Sequence, residues 1–339
     1  MLKRLVLLIL PLLFLFCACA RQNNIETVTF SSWGSITETQ IITKLIKEFE
    51  GKNPDIKINF IHIPQNYFQK IHLLFASSTA PDVIFINNLY MPVYANNLMD
   101  LKDFVEEKEF YPQSIQTLSY EGKLLAIPRD ISNLVFFYNK NITGEINPNW
   151  NFEDFKNIIQ RPQKTNTWNL SYERDIFYAS PYTKTLGFEE GIKFYKDIEG
   201  KYTPLPSDIG SLTLAQMFLD GRIGLYLSGR WMYPKISENA KFPYGIVTFP
   251  GKTPADASGW AISKTTKHKD SAVKFVKFLS SKESIDYFTQ TGLIVPARID
   301  SAKSIKESAF LDAIKKSEPN ITDKNYNKYR DNMNKNLWR

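Results

Sequence analysis

The sequence predicts an α/β protein with parallel sheets flanked by helices. Three observations carry that reading: strands and helices alternate from Thr27 to Ile86, a second αβ region begins near Leu134, and 339 residues correspond to about two domains at ~150 residues each.

Val28 and Phe30 alternate with Thr27 and Thr29, as in a strand that runs out at Ser31-Ser32-Trp33-Gly34. Ser35 and Glu38 match the S-x-x-E capping box. Behind them Ile41, Ile42, Leu45, Ile46 and Phe49 recur at helical spacing, and Gly51 is expected to close the helix. Ile56, Ile58 and Phe60 form a second alternating strand. A short helix is expected from Tyr67 to Ser77, and Val83 to Ile86 is a continuous apolar run of the buried-strand kind. This β-α-β-α-β order implies a parallel sheet covered by helices. Ligands of such sheets bind beyond the carboxyl ends of the strands, which marks two loops, Ser32 to Ser35 and Asn87 to Tyr90.

In the second region Leu134 to Tyr138 reads as a strand, and Asn151 as the cap of a helix from Phe152 to Ile159. Gly187 to Ile198 reads as a helix, and so does Leu212 to Asp220, capped by Ser211 and ended by Gly221. Ile223 to Leu227, Tyr244 to Phe249 and Gly259 to Ser263 read as strands, and Asp270 as the cap of an amphipathic helix through Leu279. Arg161 to Tyr182 has no clear period. The stretch from Pro319, rich in Asn, Lys and Tyr, fits either an exposed helix or a loose tail.

The N-terminus indicates compartment. Lys3 and Arg4 precede an apolar run from Leu5 to Phe16 and a small-residue segment, Cys17-Ala18-Cys19-Ala20, the layout of a secretory signal. The run is shorter than the ~20 apolar residues of a spanning helix. It also resembles a bacterial lipoprotein signal. Cys19, preceded by Ala18, fits the lipidation position better than Cys17, preceded by Phe16. Residues 1–18 are then the signal and 19–24 a tether. Both cysteines lie here, so the mature chain has no disulfide available, and its size does not require one. The net charge of +7 is spread without a basic block, so nucleic acid is not an implied partner.

An ordered series of motifs then resembles a known family. Pro128 to Lys140 (PRDISNLVFFYNK) is similar to the segment where family-one extracellular sugar-binding proteins of ABC importers cross between lobes. Phe49 to Ile56, Ala80-Pro81-Asp82-Val83, Ser228-Gly229-Arg230-Trp231, Phe242 to Phe249, Ser258 to Ala261 and Gly292 to Arg298 fit in the expected order. The resemblance covers roughly Val28 to Arg298. It implies a two-lobed flytrap fold, each lobe a mainly parallel sheet flanked by helices and discontinuous in sequence. Residues 25–133 and 250–300 would form the first lobe, and 134–249 and 301–339 the second. It further implies a monomeric, lipid-anchored, extracytoplasmic binding subunit without cofactor or metal, which captures a carbohydrate and delivers it to the transmembrane subunits of an ABC permease. The chain departs from the family pattern between Ile159 and Leu212, which is short, and in stopping at Arg339.

Sugar recognition needs aromatic plates for C–H faces and bidentate polar groups for hydroxyls. Trp231 resembles the family's stacking tryptophan. Trp33 and Trp260 lie at strand-end turns beside Gly, which lets a ligand approach the backbone. Asp130 sits at the crossing, where a carboxylate accepts two hydroxyls. Arg129 either pairs with it or meets ligand. Asn87 and Asn88 follow the third strand. Arg230 and Arg298 either bind ligand or bridge the lobes.

Rival classes are less well supported. No G-x-S-x-G occurs, and His62, His72 and His268 are scattered without H-x-x-x-H spacing. Gly245 to Thr253 has the wrong spacing for a P-loop. A glycan-active enzyme would need two carboxylates across the bond, and no local motif supplies them. A polyol phosphate such as glycerol phosphate is an alternative ligand, because three arginines could serve a phosphate. A sensor lipoprotein is a third class.

Overall fold

The computed structural model describes residues 25–338, so the signal segment, the tether and Cys19 lie outside the described residues. The first sheet opens with β1 (Glu26–Ser32), α1 (Ile36–Lys52), β2 (Ile56–His62), α2 (Tyr67–Ala76) and β3 (Val83–Asn87). β1 pairs in parallel with both β2 and β3, as the alternation predicts. The capping box at Ser35 is present, and Ile42, Leu45, Ile46 and Phe49 form the buried stripe of α1. Gly51 does not close this helix. The chain continues to Lys52, and Asn53 ends it by donating from Nδ2 to the carbonyl of Phe49 at 2.8 Å.

Two connections carry the chain between sheets. β4 (Ile127–Ser132) runs directly into β5 (Val135–Asn139), and β8 (Tyr244–Thr248) returns into β9 (Thr253–Ile262). β4 and β9 are antiparallel neighbours in the first sheet, and β5 and β8 are antiparallel neighbours in the second. The pair of crossings therefore forms a two-stranded hinge.

Between the crossings lie α3 (Phe152–Ile159), β6 (Trp168–Leu170), α4 (Ile176–Leu186), α5 (Phe188–Asp197), α6 (Leu214–Leu219), β7 (Ile223–Ser228) and α7 (Tyr233–Asn239). The second sheet has the order β8-β5-β7-β6. Only β6 and β7 are parallel, while β5 is antiparallel to both neighbours. The expectation of a mainly parallel second sheet is corrected: strands entering and leaving through the hinge must run in opposite directions. Thr213, not Ser211, caps α6, accepting from Gln216 N at 3.1 Å. The unperiodic stretch from Arg161 resolves into β6 and α4. Against α4, α5 packs so closely that a Cβ on Gly191 would stand 2.5 Å from the Thr183 backbone.

After β9 come α8 (Lys269–Leu279), α9 (Lys282–Gln290), α10 (Ser308–Lys315), β10 (Ser317–Pro319) and α11 (Tyr326–Leu337). Asp270 lies in the first turn of α8 rather than at its cap, which is His268; its charge still favours the helix N-terminus. α10 packs on β8 and β5, whereas β10 pairs with β9, so residues after 300 serve both sheets. Among the described residues no helix is long and apolar enough to cross a membrane.

Candidate functional site

A cavity of about 210 Å³ lies between the lobes at the hinge. Its first-lobe wall comes from the loop after β1, the first turn of α1, β4 and β9; its second-lobe wall comes from the turn after β7. Five of the expected residues meet there: Trp33, Arg129, Asp130, Arg230 and Trp231.

Arg129 and Asp130 are both buried and joined by a 2.7 Å bond from Nε to Oδ2. Arg129 also donates from Nη1 to Glu38 at 3.1 Å, and its guanidinium stands 4.1 Å from the Phe85 ring centroid. Burial pushes the Asp130 carboxyl above the ordinary range, against the pull of Arg129. Arg129 thus belongs to an internal charge cluster and offers little to a phosphate. Glu38 takes part twice, since its other oxygen accepts from Ser35 N at 2.9 Å. The sequence marked it only as a capping residue.

The aromatic contribution comes from opposite walls. Trp33 is half-buried against Tyr67, Phe68 and Phe85, with ring centroids 4.9, 5.2 and 4.3 Å away. Trp231 keeps 37% of its surface exposed. Gly229 makes room for it, since a Cβ there would meet the indole at 1.9 Å. Arg230, 6% exposed, reaches from the second lobe to the first-lobe carbonyls of Thr289 (3.3 Å) and Ile294. Burial lowers the pKa of its guanidinium, and no ion pair to it is seen among the described residues.

Four expected residues lie elsewhere. Trp260 is fully buried against Phe30 and Phe85, a core position rather than a ligand plate. The neighbouring Gly259 serves strand crossing instead of ligand access: a Cβ there would stand 2.3 Å from the carbonyl oxygen of Ile127. Asn88 is also fully buried; Nδ2 donates to Asp256 at 2.8 Å and to the carbonyl of Asn320 at 3.0 Å. Asn87 shapes its own turn by accepting from Tyr90 N at 3.2 Å. Arg298 lines a separate 440 Å³ cavity and is neutralised by Glu109 (2.9 Å) and Asp300 (3.1 Å).

A larger cavity, about 650 Å³, lies on the second lobe between β8 and α10 and contains none of the expected residues. The smaller one is the better candidate because it joins two lobes, a hinge, two tryptophans and a buried carboxylate. Sequence reasoning missed Glu38, Asn133 and Ser258, which line it too. Among the described residues no group of three His, Cys, Asp or Glu is placed to hold a metal ion.

Residues 44–316 match the family described as bacterial extracellular solute-binding protein. The maltotriose-binding protein of Pyrococcus abyssi is 20% identical over 282 residues, covering 73% of this chain; the chain spans 61% of that relative's length. A maltodextrin-binding protein of Bacillus subtilis is 23% identical, covering 80% of this chain and 74% of its own length. An ABC substrate-binding protein of Listeria monocytogenes, solved with cycloalternan, superposes with a TM-score of 0.79 at 20% identity over 92% of each chain. At that identity the likeness establishes the two-lobed fold.

Proposed function

The chain belongs to the bacterial extracellular solute-binding protein family, and from that membership we propose that it is the substrate-capturing subunit of an ABC importer. The family places it outside the cytoplasm. In this reading a sugar or oligosaccharide enters between the lobes, the hinge closes on it, and the closed form docks on the permease. Cys19 carries a lipid that holds the mature, monomeric protein at the bacterial membrane. The protein binds its ligand without cofactor and without turning it over.

One observation carries the reading: Trp33 and Trp231, from different lobes, line the same cavity as the buried Asp130. An aromatic contact contributes about 0.5–1.5 kcal/mol beyond area burial, and a hydrogen bond to a charged group about 1.5–3 kcal/mol. A handful of such contacts reaches micromolar affinity, near −8 kcal/mol. The phosphate alternative is less well supported, because Arg129 and Arg298 already have carboxylate partners. The ligands for which two relatives are named, maltotriose and maltodextrin, favour α-glucans as first candidates.

The test is a thermal-shift and calorimetric panel of mono-, di- and oligosaccharides and polyol phosphates, since a ligand of the native state raises Tm. Stabilisation by a neutral sugar without turnover supports the proposal. Hydrolysis of a glycan, or a response to polyol phosphates alone, overturns it. Incorporation of labelled fatty acid, lost in Cys19→Ser, tests the anchor.

A further inference from the structure

We infer that the open edge of β8 and the facing side of α10 form a groove that takes an extended peptide segment of a partner protein as an added strand. The groove shares no lining residue with the cleft cavity, and the inference does not depend on what the cleft binds. β8 is the outermost strand of its sheet, and among the described residues only β5 pairs with it. Antiparallel pairing turns the backbone groups of alternate residues toward the neighbour and toward the open side. Two bonds fix the phase. The carbonyl of Pro243 accepts from Lys140 N, on the β5 side, at 2.9 Å; that of Thr248, opposite in phase, accepts from the Trp150 indole at 2.8 Å. Tyr244 and Ile246 share the phase of Thr248 and so point both N–H and C=O outward. Every residue of β8 lines the 650 Å³ cavity. The strand, Tyr-Gly-Ile-Val-Thr, holds none of the prolines or charges with which proteins ordinarily blunt an exposed edge.

The helix supplies the other wall and the selectivity. Ala309, Asp312 and Lys316 recur about one turn apart on the side of α10 that faces the cavity, while Phe310, Ala313 and Ile314 enter the core. α10 runs alongside β8 in the same sense. At one end Lys316 Nζ donates to Thr248 Oγ1 at 3.0 Å. At the other, Glu307 accepts from the Tyr233 hydroxyl at 2.6 Å, and burial together with the Glu307 charge raises the pKa of the Tyr244 phenol. Asp312 is paired with Lys315, but among the described residues neither Glu307 nor Lys316 forms an ion pair. The groove thus carries an uncompensated negative charge at its Tyr244 end and a positive one at its Thr248 end. Four strand steps, roughly 13 Å, separate the two. A segment with a basic and an acidic side chain four residues apart matches both, and the two project from one face because strand side chains alternate. Main-chain bonds along β8 then give affinity, and the two charges give choice among segments.

The experiment titrates the protein, by fluorescence anisotropy, into labelled heptapeptides containing Lys-Val-Thr-Val-Glu or the reverse order, Glu-Val-Thr-Val-Lys. Two further peptides carry Lys at both charged positions or Glu at both. The two mixed orders distinguish a parallel from an antiparallel added strand, and one of them should bind about tenfold tighter than either like-charged peptide. N-methylation of alternate residues should abolish its binding in one phase and spare it in the other, the signature of a strand paired along one edge. Lys316→Glu changes an exposed side chain and should move the preference to the doubly basic peptide. No binding by any of the four peptides, equal affinity among them, indifference to the phase of N-methylation, or an unchanged preference in Lys316→Glu overturns the proposal. A dimer that grows with concentration in sedimentation and is not displaced by peptide assigns the edge to a second copy of the chain, and overturns it as well.

Discussion

Arg330 on α11 grips Asp175 at the cap of α4 with two parallel bonds, Nε to Oδ1 at 3.1 Å and Nη2 to Oδ2 at 2.5 Å. The same helix donates from Asn327 to the carbonyl of Leu89 in the first lobe at 2.8 Å, and the Trp338 indole just beyond it donates to the Tyr172 hydroxyl. A polar segment with no buried residue of its own thus joins both lobes through specific bonds.

Replacing Arg330 with Ala should lower Tm by a few degrees, because a bidentate pair with both side chains under one-third exposed exceeds an ordinary surface bridge. Burial opposes the Asp175 charge, yet bonds from Arg330 and from Phe177 N hold its pKa below the usual range. The contribution is complete above the unfolded carboxylate value near ~4 and is lost as pH falls through the lowered folded value. The wild-type advantage over Arg330→Ala in thermal melts should therefore shrink in acid. A constant difference down to strongly acidic pH would refute the linkage.

Asp256 shows the opposite sign. Burial raises its pKa even though Asn88 and Asn320 both donate to Oδ1. The folded state then holds the proton more readily than the unfolded chain, so stability falls as pH rises from the ordinary carboxylate range through the raised value. Asp256→Asn keeps an oxygen for both donors and removes the charge. Its melts should show a smaller drop between acidic and neutral pH, with Tm at neutral pH equal to or above that of the parent.

Two tryptophans should separate stability from binding. Trp260→Ala opens a fully buried site and should cost about 3–5 kcal/mol in denaturant unfolding. Trp231→Ala should unfold near the parent midpoint and lose most sugar affinity. Comparable destabilisation by both would contradict their assigned environments.

Gly229→Ala tests how Trp231 is held. The backbone at 229 (φ −101°) accepts any residue, so the strain falls on the indole, which the new methyl would displace. Sugar affinity should fall by about tenfold while Tm changes little; unchanged affinity would free Trp231 from its role.

How much of this was legible depended on how local each cause is. The stripe of α1 and its capping box lie within one segment and could be read directly, as could Val83 to Ile86. The environments of Trp231 and Trp260 could not be separated from local sequence alone, because a Gly stands one or two positions before each. Gly229 yields space to an indole, whereas Gly259 yields it to a backbone more than a hundred positions earlier. Asn88 looked like a loop residue free to meet ligand. It is consumed by Asp256 and Asn320, segments 168 and 232 residues distant in sequence.

The position of β9 has a consequence for how the chain becomes a protein. It lies inside the first sheet, against β3 on one side and β4 and β10 on the other, yet it is made after every strand of the second sheet. While residues 253–262 are still unsynthesised, β3 presents an open edge and Phe85 and Phe30 lack the indole that covers them. The second sheet, continuous from Val135 to Thr248, can assemble first. Completing the first must await a pairing that spans some 170 residues, a slow step for loop-closure reasons. Until residues 253–262 are made, the first sheet lacks the strand that joins β3 to β4.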